Sequence, residues 1–482
     1  MSIHKIDDRR KTTEAKIQPK LVSTLIRVLD RIGFFCLLTV IVLVVIPYGT
    51  VDAWWEAAFE CAIFGLTAMW ILESLLRGSW EIHRVFVIVP MFLLTAYAFL
   101  QTAHLPFLIA PGDGPLPRRS LTIDEYQTHL TAVKILVLTL CAMLLLQRVN
   151  TTSRLKWVVR VIIGIALGSA LFGIARQVLQ APTSTSGFVL PFLFPGLGYG
   201  QFLSSNAFAF VVEMGFALVL GLILGGGVAR QHILLYVVAG VIIWTALVLA
   251  NSRGGLIGFI CETVFLLVMA YPRFAQRFER DVDGRPRIFG VIPPVLVKGV
   301  AVLAIVVGLT FSVVWMGGQE LATKMAQGEG VVEPEAGTTR TQIWSSTWQL
   351  IKHRPLTGVG FGTYFLAIPQ FQTGSGRLKL EQAHNDYLDL AANGGLIAVL
   401  IALCFVGLVV WRARASLKSG DSFRRAAALG AIAALISVAV HSFVDFGLQV
   451  TGIAVIALAM TVIAVVDVRS SAQTIRISRM EE

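Results

Sequence analysis

Apolar residues form long continuous stretches along the chain, separated by short polar or glycine-rich connections. A helix needs about 20 predominantly apolar residues to cross the hydrocarbon core of a membrane. The stretches have this length and show no strict alternation of apolar and polar residues, which favours a bundle of helices over a barrel. We predict twelve spans, at 32–48, 53–76, 84–103, 132–148, 156–179, 206–227, 233–250, 254–271, 290–316, 386–411, 425–446 and 447–467.

The composition agrees with this pattern. Of the 482 residues, 56% are hydrophobic and 14% are charged, whereas about 25% are charged in an ordinary soluble domain. The sequence therefore predicts an all-α integral membrane protein with about twelve transmembrane helices. The five cysteines lie inside apolar runs without CxxC spacing, so they predict neither a disulfide framework nor a zinc site.

Lysine and arginine are distributed unequally between the two sides of the predicted bundle. If both termini are cytoplasmic, most of the 40 lysine and arginine residues fall in the inner segments, as the positive-inside rule requires. The net charge of +11 is then a topology signal, and nucleic-acid binding is the weaker interpretation. We expect a basic leader, nine helices, a large outer loop, three helices and a cytoplasmic tail, at 1–31, 32–316, 317–385, 386–468 and 469–482.

Two arginines lie at the outer edge of the predicted bundle. Arg253, in "VLANSRGGLIGF", falls between two spans, where a guanidinium is costly unless an anion or a water-filled cavity is near. The alternative is an arginine that snorkels to lipid phosphates. Arg340 opens "TRTQIWSSTWQLIKHRPL", which predicts a short amphipathic helix on the outer membrane surface. Its expected membrane-facing side carries Ile343, Trp344, Thr347, Trp348 and Ile351.

A polar cluster precedes the tenth span in "EQAHNDYLDLAANGGLIAVLI". Asn385 or Asp386 can cap this helix, and the free amide groups of its first turn favour an anion. His384 could take a proton from an acceptor hydroxyl, since a histidine ordinarily has a pKa of about 6.5. Bound phosphate would oppose that role, so a base and a positioning residue both remain open.

Four further polar residues are expected on the outer side. Arg176, near the end of span five, could add a third positive charge, and Asn206 begins span six, where capping is the alternative role. His441 and Asp445 are four residues apart on predicted span eleven, so we expect them on one helical face as structural support. The glycines of "TGVGFGTYF" (357–365) predict a turn that leads the outer loop back toward the membrane.

The intramembrane acids give no clear chemistry from sequence alone. No HExxH motif, Walker loop or paired-acid motif accompanies them, so the sequence predicts no metal. Five of them show no obvious partner: Glu56, Glu60, Glu73, Glu213 and Glu262.

Three motifs occur in a fixed order, "LANSRGG", "RTQIW…HRPLTGVGFGTY" and "HNDYLDLAANGGLIAVL". Together, over about 200–446, they resemble the O-antigen ligase and polymerase superfamily of bacterial surface-glycan assembly. The resemblance implies a GT-C-like enzyme of the bacterial inner membrane with its active site facing the periplasm and short amphipathic helices in its outer loop. It would transfer a glycan from undecaprenyl pyrophosphate to an acceptor sugar, with inversion and without a metal or other cofactor.

The resemblance also assigns roles to residues. Arg253 and Arg340 look like the pyrophosphate-binding arginines, and His384 looks like the residue that activates or positions the acceptor. The chain departs from the family pattern at Asn393, where an acidic residue is common, and ahead of span six, where a glycine-phenylalanine-asparagine-asparagine run is reduced to Asn206. The full set of expected substrate-binding residues is Arg253, Arg340, Asn385, Arg176 and Asn206.

We expect a polymerase that joins undecaprenyl-linked repeat units of an O-antigen or exopolysaccharide. A ligase that transfers the glycan to lipid A core is the first alternative, because it would use the same donor. A lipid-linked glycan transporter or flippase is the second, although such proteins often carry polar residues near the bilayer centre rather than at the outer rim. The expected partners are the lipid-linked donor, a glycan or lipid A core acceptor, and membrane lipid.

Overall fold

The computed structural model describes residues 4–80, 85–104, 120–179, 199–280, 332–333, 338–372 and 380–468. Two short strands, β1 (Val332–Glu333) and β2 (Thr338–Thr339), pair antiparallel. The helices are α1 (His4–Leu43), α2 (Ala53–Arg77), α3 (Val89–Gln101), α4 (Glu125–Arg148), α5 (Thr152–Leu179), α6 (Ser205–Leu224), α7 (Ile233–Leu249), α8 (Arg253–Arg280), α9 (Arg340–His353), α10 (Tyr364–Ala367), α11 (Asp386–Leu417), α12 (Ser422–His441) and α13 (Thr451–Val465).

Within the described ranges, eight helical segments are long and apolar enough to cross a membrane. They belong to α2, α4, α5, α6, α7, α8, α11 and α12, while α3 and α13 are shorter apolar helices. This confirms the predicted all-α membrane class. The count of twelve spans is not confirmed, and predicted span 290–316 lies outside the described residues. The GT-C-like arrangement stays a prediction.

One boundary error matters for the site. Predicted span eleven runs to residue 446, but α12 ends at His441. The apolar side chains of Phe443, Val444 and Phe446 continue the hydrophobic pattern past the point where the backbone leaves the helix. Carbonyl groups in 442–446 instead accept hydrogen bonds from other elements, so hydropathy overestimates the helix there.

The centre of the bundle is α6, which packs against α12, α7, α5 and α8. Phe208 and Phe210 of α6 are completely buried. Small residues bring the backbones of α6 and α12 together, because a Cβ added to Gly221 would lie 2.5 Å from the backbone nitrogen of Gly430. This three-helix centre of α6, α8 and α12 carries several of the candidate residues at one end.

Helix ends meet in two groups, which we call the site end and the opposite end. At the site end, the starts of α2 and α13 meet where Thr451 donates to Glu56 at 3.0 Å. At the opposite end, the ends of α2 and α4 meet where Arg148 donates to Glu73 at 2.6 and 2.7 Å. Glu56 also pairs with Lys134 at 2.7 Å, so two of the acids without an obvious partner in sequence are paired through the fold.

The outer loop forms a small hydrophobic core with the first turns of α11, at the site end. The predicted amphipathic helix forms as α9, but its buried residues are Ile343, Ser346, Thr347 and Leu350. Trp348 is 53% exposed. The prediction that Ile343 faces the membrane is therefore wrong. Ile343 is buried within the protein, because it packs against other apolar residues of the outer loop. That core comprises Ile343, Leu350, Val359, Tyr364, Ala367, Ile368, Leu380, Ala383 and Ala392.

A break in α11 receives the glycine-rich segment of the outer loop. The helix is interrupted at Gly395, with φ 62° and ψ −165°. Around the break, the backbone nitrogen of Val359 donates to Ala392 at 3.0 Å, and that of Leu396 donates to Pro355 at 2.8 Å. The segment predicted as a simple turn is therefore docked onto a membrane helix by its backbone.

Helix α3 supplies the side chains that hold this junction. The hydroxyl of Tyr97 donates to the carbonyl of Thr357 at 2.9 Å, and Gln101 donates to the same carbonyl at 2.8 Å. The side-chain oxygen of Gln101 also accepts from the backbone nitrogen of Phe361 at 3.1 Å. These contacts satisfy backbone groups that would otherwise be unpaired in an apolar environment.

Candidate functional site

The candidate residues meet at the connection that follows α12. We call residues 442–446 the hub segment. Its Phe443 carbonyl accepts from the side chain of Asn385 at 2.8 Å, and its Ser442 carbonyl accepts from the backbone nitrogen of Asp386 at 3.0 Å. The Val444 carbonyl accepts from Arg340. The hub segment thus joins the first residues of α9 and α11.

Arg340 is the first residue of α9, and its side chain is 22% exposed. One terminal nitrogen donates to the Val444 carbonyl, and the other lies 3.8 Å from the Asp445 carboxylate. The guanidinium is therefore held in one place at the edge of the hub segment, with part of its surface open.

Asp445 connects the hub segment to the central helices. Its carboxylate accepts from the side chain of Asn206, whose oxygen in turn accepts from Ser252 at 2.8 Å. This corrects two predictions. Asn206 is not the cap of α6, because Ser204 accepts from Ala207 there. Asp445 lies beyond the end of α12 rather than on one helical face with His441, because the helix ends before it.

Arg253 is the first residue of α8 and is half-buried. The next residue, Gly254, packs against the hub segment, since a Cβ added there would lie 2.8 Å from the side chain of Val444. Arg253 and Arg340 thus begin two different helices that both contact Val444. Each guanidinium belongs to the first turn of a helix, where free amide groups add positive potential.

His384 lies immediately before α11. Asn385 caps this helix, because its side-chain oxygen accepts from the backbone nitrogens of Tyr387 and Leu388 at 3.0 Å each, which confirms Asn385 as a cap. The His384 backbone has φ 48°, an uncommon conformation for a residue other than glycine. Its ring meets Phe446 edge-on with a centroid distance of 5.0 Å. The imidazole therefore adjoins the hub segment as well.

Arg176 lies elsewhere at the site end. Its buried side chain donates to the carbonyl of Gly200 at 2.6 Å, beside Tyr48. This contact joins α5 to residues 199–201. Its role as a third positive charge at the substrate stays a prediction.

Sequence reasoning missed a buried pair beneath the hub segment. Nδ1 of His441 lies 3.3 Å from both carboxylate oxygens of Glu213, and both side chains are completely buried. The His441 ring also stacks on Phe210. The sequence marks both polar residues, but their pairing depends on how α6 and α12 pack.

Asn393 forms a structural junction between the outer loop and α11. Its side-chain oxygen accepts from the backbone nitrogen of Tyr364 at 3.1 Å, and its amide donates to the Asp389 carboxylate at 2.8 Å. Burial also raises the pKa of the Tyr364 hydroxyl, so this group stays protonated beside Thr347. These contacts tie α10 to α11.

Asn393→Asp is expected to destabilise the protein by about 1–3 kcal/mol, because it removes a hydrogen-bond donor and places a second carboxylate beside Asp389. Thermal unfolding of the purified protein should show a lower midpoint. Asn150→Asp at the opposite end gives the effect of the same chemical change outside the junction. An unchanged midpoint for Asn393→Asp would contradict this account of the amide.

These features define a class of protein: a multi-pass helical membrane protein whose clustered arginines, histidine and acids lie at one end of its bundle. Within the described ranges, no three His, Cys, Asp or Glu side chains are grouped to hold a metal ion.

Residues 238–403 match the family model described as O-antigen ligase. The matched region contains Arg253, Arg340 and His384, and it confirms the superfamily predicted from the sequence. The chain thus carries a domain that matches this family, which supports the resemblance to the O-antigen ligase and polymerase superfamily. No curated protein matches the sequence.

Proposed function

We propose that the protein is a glycosyltransferase that uses an undecaprenyl-pyrophosphate-linked glycan as donor. The family match supports a function of the ligase or polymerase type. One observation carries the proposal: Arg253, Arg340 and His384 are far apart in the chain but meet at the hub segment. Arg340 and His384 contact it directly, and Arg253 precedes Gly254, which packs against it.

The two arginines would bind the pyrophosphate of the donor. Negative charge develops on this leaving group as the bond to the sugar breaks, and guanidinium groups at two helix starts can stabilise it. This arrangement would replace the divalent metal that other pyrophosphate-releasing enzymes use. The polyprenyl tail would lie among the apolar helices while its headgroup stays at the rim.

His384 would act on the acceptor. The acceptor oxygen forms a bond to the anomeric carbon, the bond from that carbon to the pyrophosphate oxygen breaks, and the hydroxyl proton leaves. His384 can take that proton or orient the hydroxyl. Attack from the side opposite the leaving group would invert the anomeric configuration.

We place the site end at the periplasmic face of the bacterial inner membrane. The basic side chains at the opposite end support this orientation under the positive-inside rule, among them Arg77, Arg148, Arg154, Arg412 and Arg424. The leader 1–31 and the tail 469–482 would then be cytoplasmic, and the loop 317–385 periplasmic.

We propose polymerisation of O-antigen or exopolysaccharide repeat units as the reaction. A ligase is the second candidate, because the matched family is described as O-antigen ligase. Both would use the same donor site, with lipid-linked glycan or lipid A core as acceptor.

Purified protein in liposomes tests these alternatives. With lipid-linked repeat units alone, a polymerase should form longer chains, whereas a ligase should form product only when lipid A core is added. Activity should persist in EDTA and be lost in His384→Ala and Arg253→Ala. Movement of lipid-linked glycan across the bilayer without any transfer would overturn the proposal in favour of a transporter.

A further inference from the structure

A completely buried histidine lies directly beneath the hub segment. His441 ends α12, and its ring stacks on Phe210 of α6 with a centroid distance of 3.8 Å and an interplanar angle of 5°. Nδ1 faces the Glu213 carboxylate at 3.3 Å. A buried polar group of this kind is costly unless it is hydrogen-bonded, so the pair fixes the orientation of the ring.

The opposite edge of this ring supports the first turn of α8. A Cβ added to Gly254 would lie 2.6 Å from Nε2 of His441 and even closer to Cδ2. No side chain fits between them, so the ring sets how closely α8 approaches α12. Arg253 precedes Gly254 in the chain, and the same turn therefore carries it.

His441 is also linked to the anchor of the second arginine. The backbone nitrogen of Val444 donates to the His441 carbonyl at 2.9 Å, and a Cβ added to Gly254 would lie 2.8 Å from the Val444 side chain. The Val444 carbonyl accepts from Arg340. The His441 ring therefore contacts the helix start that carries Arg253, and the His441 backbone holds Val444, which anchors Arg340.

A second buried acid, Glu262, lies near the Glu213–His441 pair. Glu262 of α8 is completely buried and lies within electrostatic range of Glu213. Among the residues that the structure describes, neither of its carboxylate oxygens has a hydrogen bond of normal geometry. Glu213 thus has His441 as its imidazole partner, and the hydroxyl of Ser437 lies beside the same carboxylate.

We propose that Glu213 and His441 are a positioning pair for the glycan transfer proposed above. The imidazole, anchored by Glu213, holds the first turn of α8 and the hub segment in position. Both arginines can then bind the same pyrophosphate. Neither side chain touches the substrate, since both are completely buried. A misplacement of about 1 Å at such a site can cost on the order of 100-fold in rate.

The test compares Glu213→Leu with Glu213→Gln. Leucine removes the acceptor for Nδ1 at similar size, whereas glutamine keeps an acceptor oxygen and loses the charge. We expect Glu213→Leu to raise the donor KM about tenfold with a smaller change in kcat, and Glu213→Gln to stay within about twofold of the unmodified protein.

Amide hydrogen exchange gives a readout that does not depend on activity. In Glu213→Leu, exchange should increase in peptides covering 252–258 and 441–446, and Glu213→Gln should leave it unchanged. His441→Phe keeps the stacked ring but loses Nδ1, so it should show the same increase in exchange. This variant replaces Glu213→Leu in the test if the leucine variant fails to fold. Glu73→Gln at the opposite end is the matched control, since it alters another buried pair away from these peptides.

Three results would overturn the positioning role. These are unchanged exchange at 252–258 in both Glu213→Leu and His441→Phe, an increase that Glu73→Gln reproduces there, or equal loss of activity in the leucine and glutamine variants. If the unmodified protein transfers no glycan, the proposed function fails, but hydrogen exchange still decides whether the pair holds α8.

Discussion

Gly395→Val is expected to abolish accumulation of the folded protein. Gly395 has φ 62° and ψ −165°, a region that is essentially restricted to glycine. An added Cβ would lie 2.6 Å from the backbone nitrogen of Gly358 and closer still to the carbonyl of Leu356. Because these neighbours are backbone atoms, no change of rotamer relieves the contact, and we expect a loss above about 4 kcal/mol.

Fluorescence-detected size exclusion and thermal unfolding in detergent would measure this effect. Gly407→Ala is the matched control, because Gly407 lies in the same helix with no atom within 4 Å of an added Cβ. It should retain normal yield and melting temperature. Normal yield and melting temperature for Gly395→Val would contradict the break in α11.

The break matters because it gives the outer loop its place. Leu396 and Ile397 donate backbone hydrogen bonds to Pro355 and Leu356 at 2.8 and 3.3 Å. An uninterrupted helix would direct these donors to its own preceding turn. The outer loop would then lose these hydrogen bonds to α11, and the position of α9, which carries Arg340, would no longer be fixed.

Arg340→Lys is expected to lower kcat/KM about 10- to 100-fold although the charge is kept. The two terminal nitrogens of Arg340 face the Val444 carbonyl and, at 3.8 Å, the Asp445 carboxylate. Lysine has one nitrogen and cannot keep these anchors while also contacting phosphate in two places. Hydrogen bonds to charged groups contribute about 1.5–3 kcal/mol, which corresponds to this range of rate.

Arg412→Lys is the control for this substitution. Arg412 lies near the end of α11, has similar exposure, at 17% against 22% for Arg340, and pairs with Asp467 at the opposite end. Transfer assays with the lipid-linked donor should show little change for Arg412→Lys. Normal turnover by Arg340→Lys would mean that close guanidinium contact at position 340 is the wrong description.

The two substitutions separate folding from chemistry. Gly395→Val acts on the backbone junction and should reduce the amount of protein, whereas Arg340→Lys changes one partly exposed side chain and should leave the yield of folded protein unchanged. Activity loss in a well-folded Arg340→Lys variant is therefore informative about the site alone.

Local sequence signals predicted much of the fold. Continuous apolar runs identified the membrane helices, because each must bury its backbone polar groups within itself. Asn385 before the apolar run of α11 predicted its cap, and the buried cap confirms it. The same signals failed after His441, where apolar side chains continue although the backbone leaves the helix.

The sequence indicated candidate residues for the site but not the contacts that join them. Arg253, Arg340 and His384 stood out because polar groups are unusual beside apolar helices. Their link through Val444 and Phe446, and the anchoring of His441 by Glu213, join positions that are distant in the chain. No local pattern encodes such pairs.

The sequence by itself determined that this is a helical membrane protein and which superfamily it resembles, since hydropathy and motif order are properties of the chain. Only the tertiary structure decided where Asn206 and Asp445 bond, how α11 breaks at Gly395, and which acid holds His441. The physical reason is that these contacts depend on the distances between packed helices, which side-chain volume and backbone hydrogen bonding across the whole bundle set together.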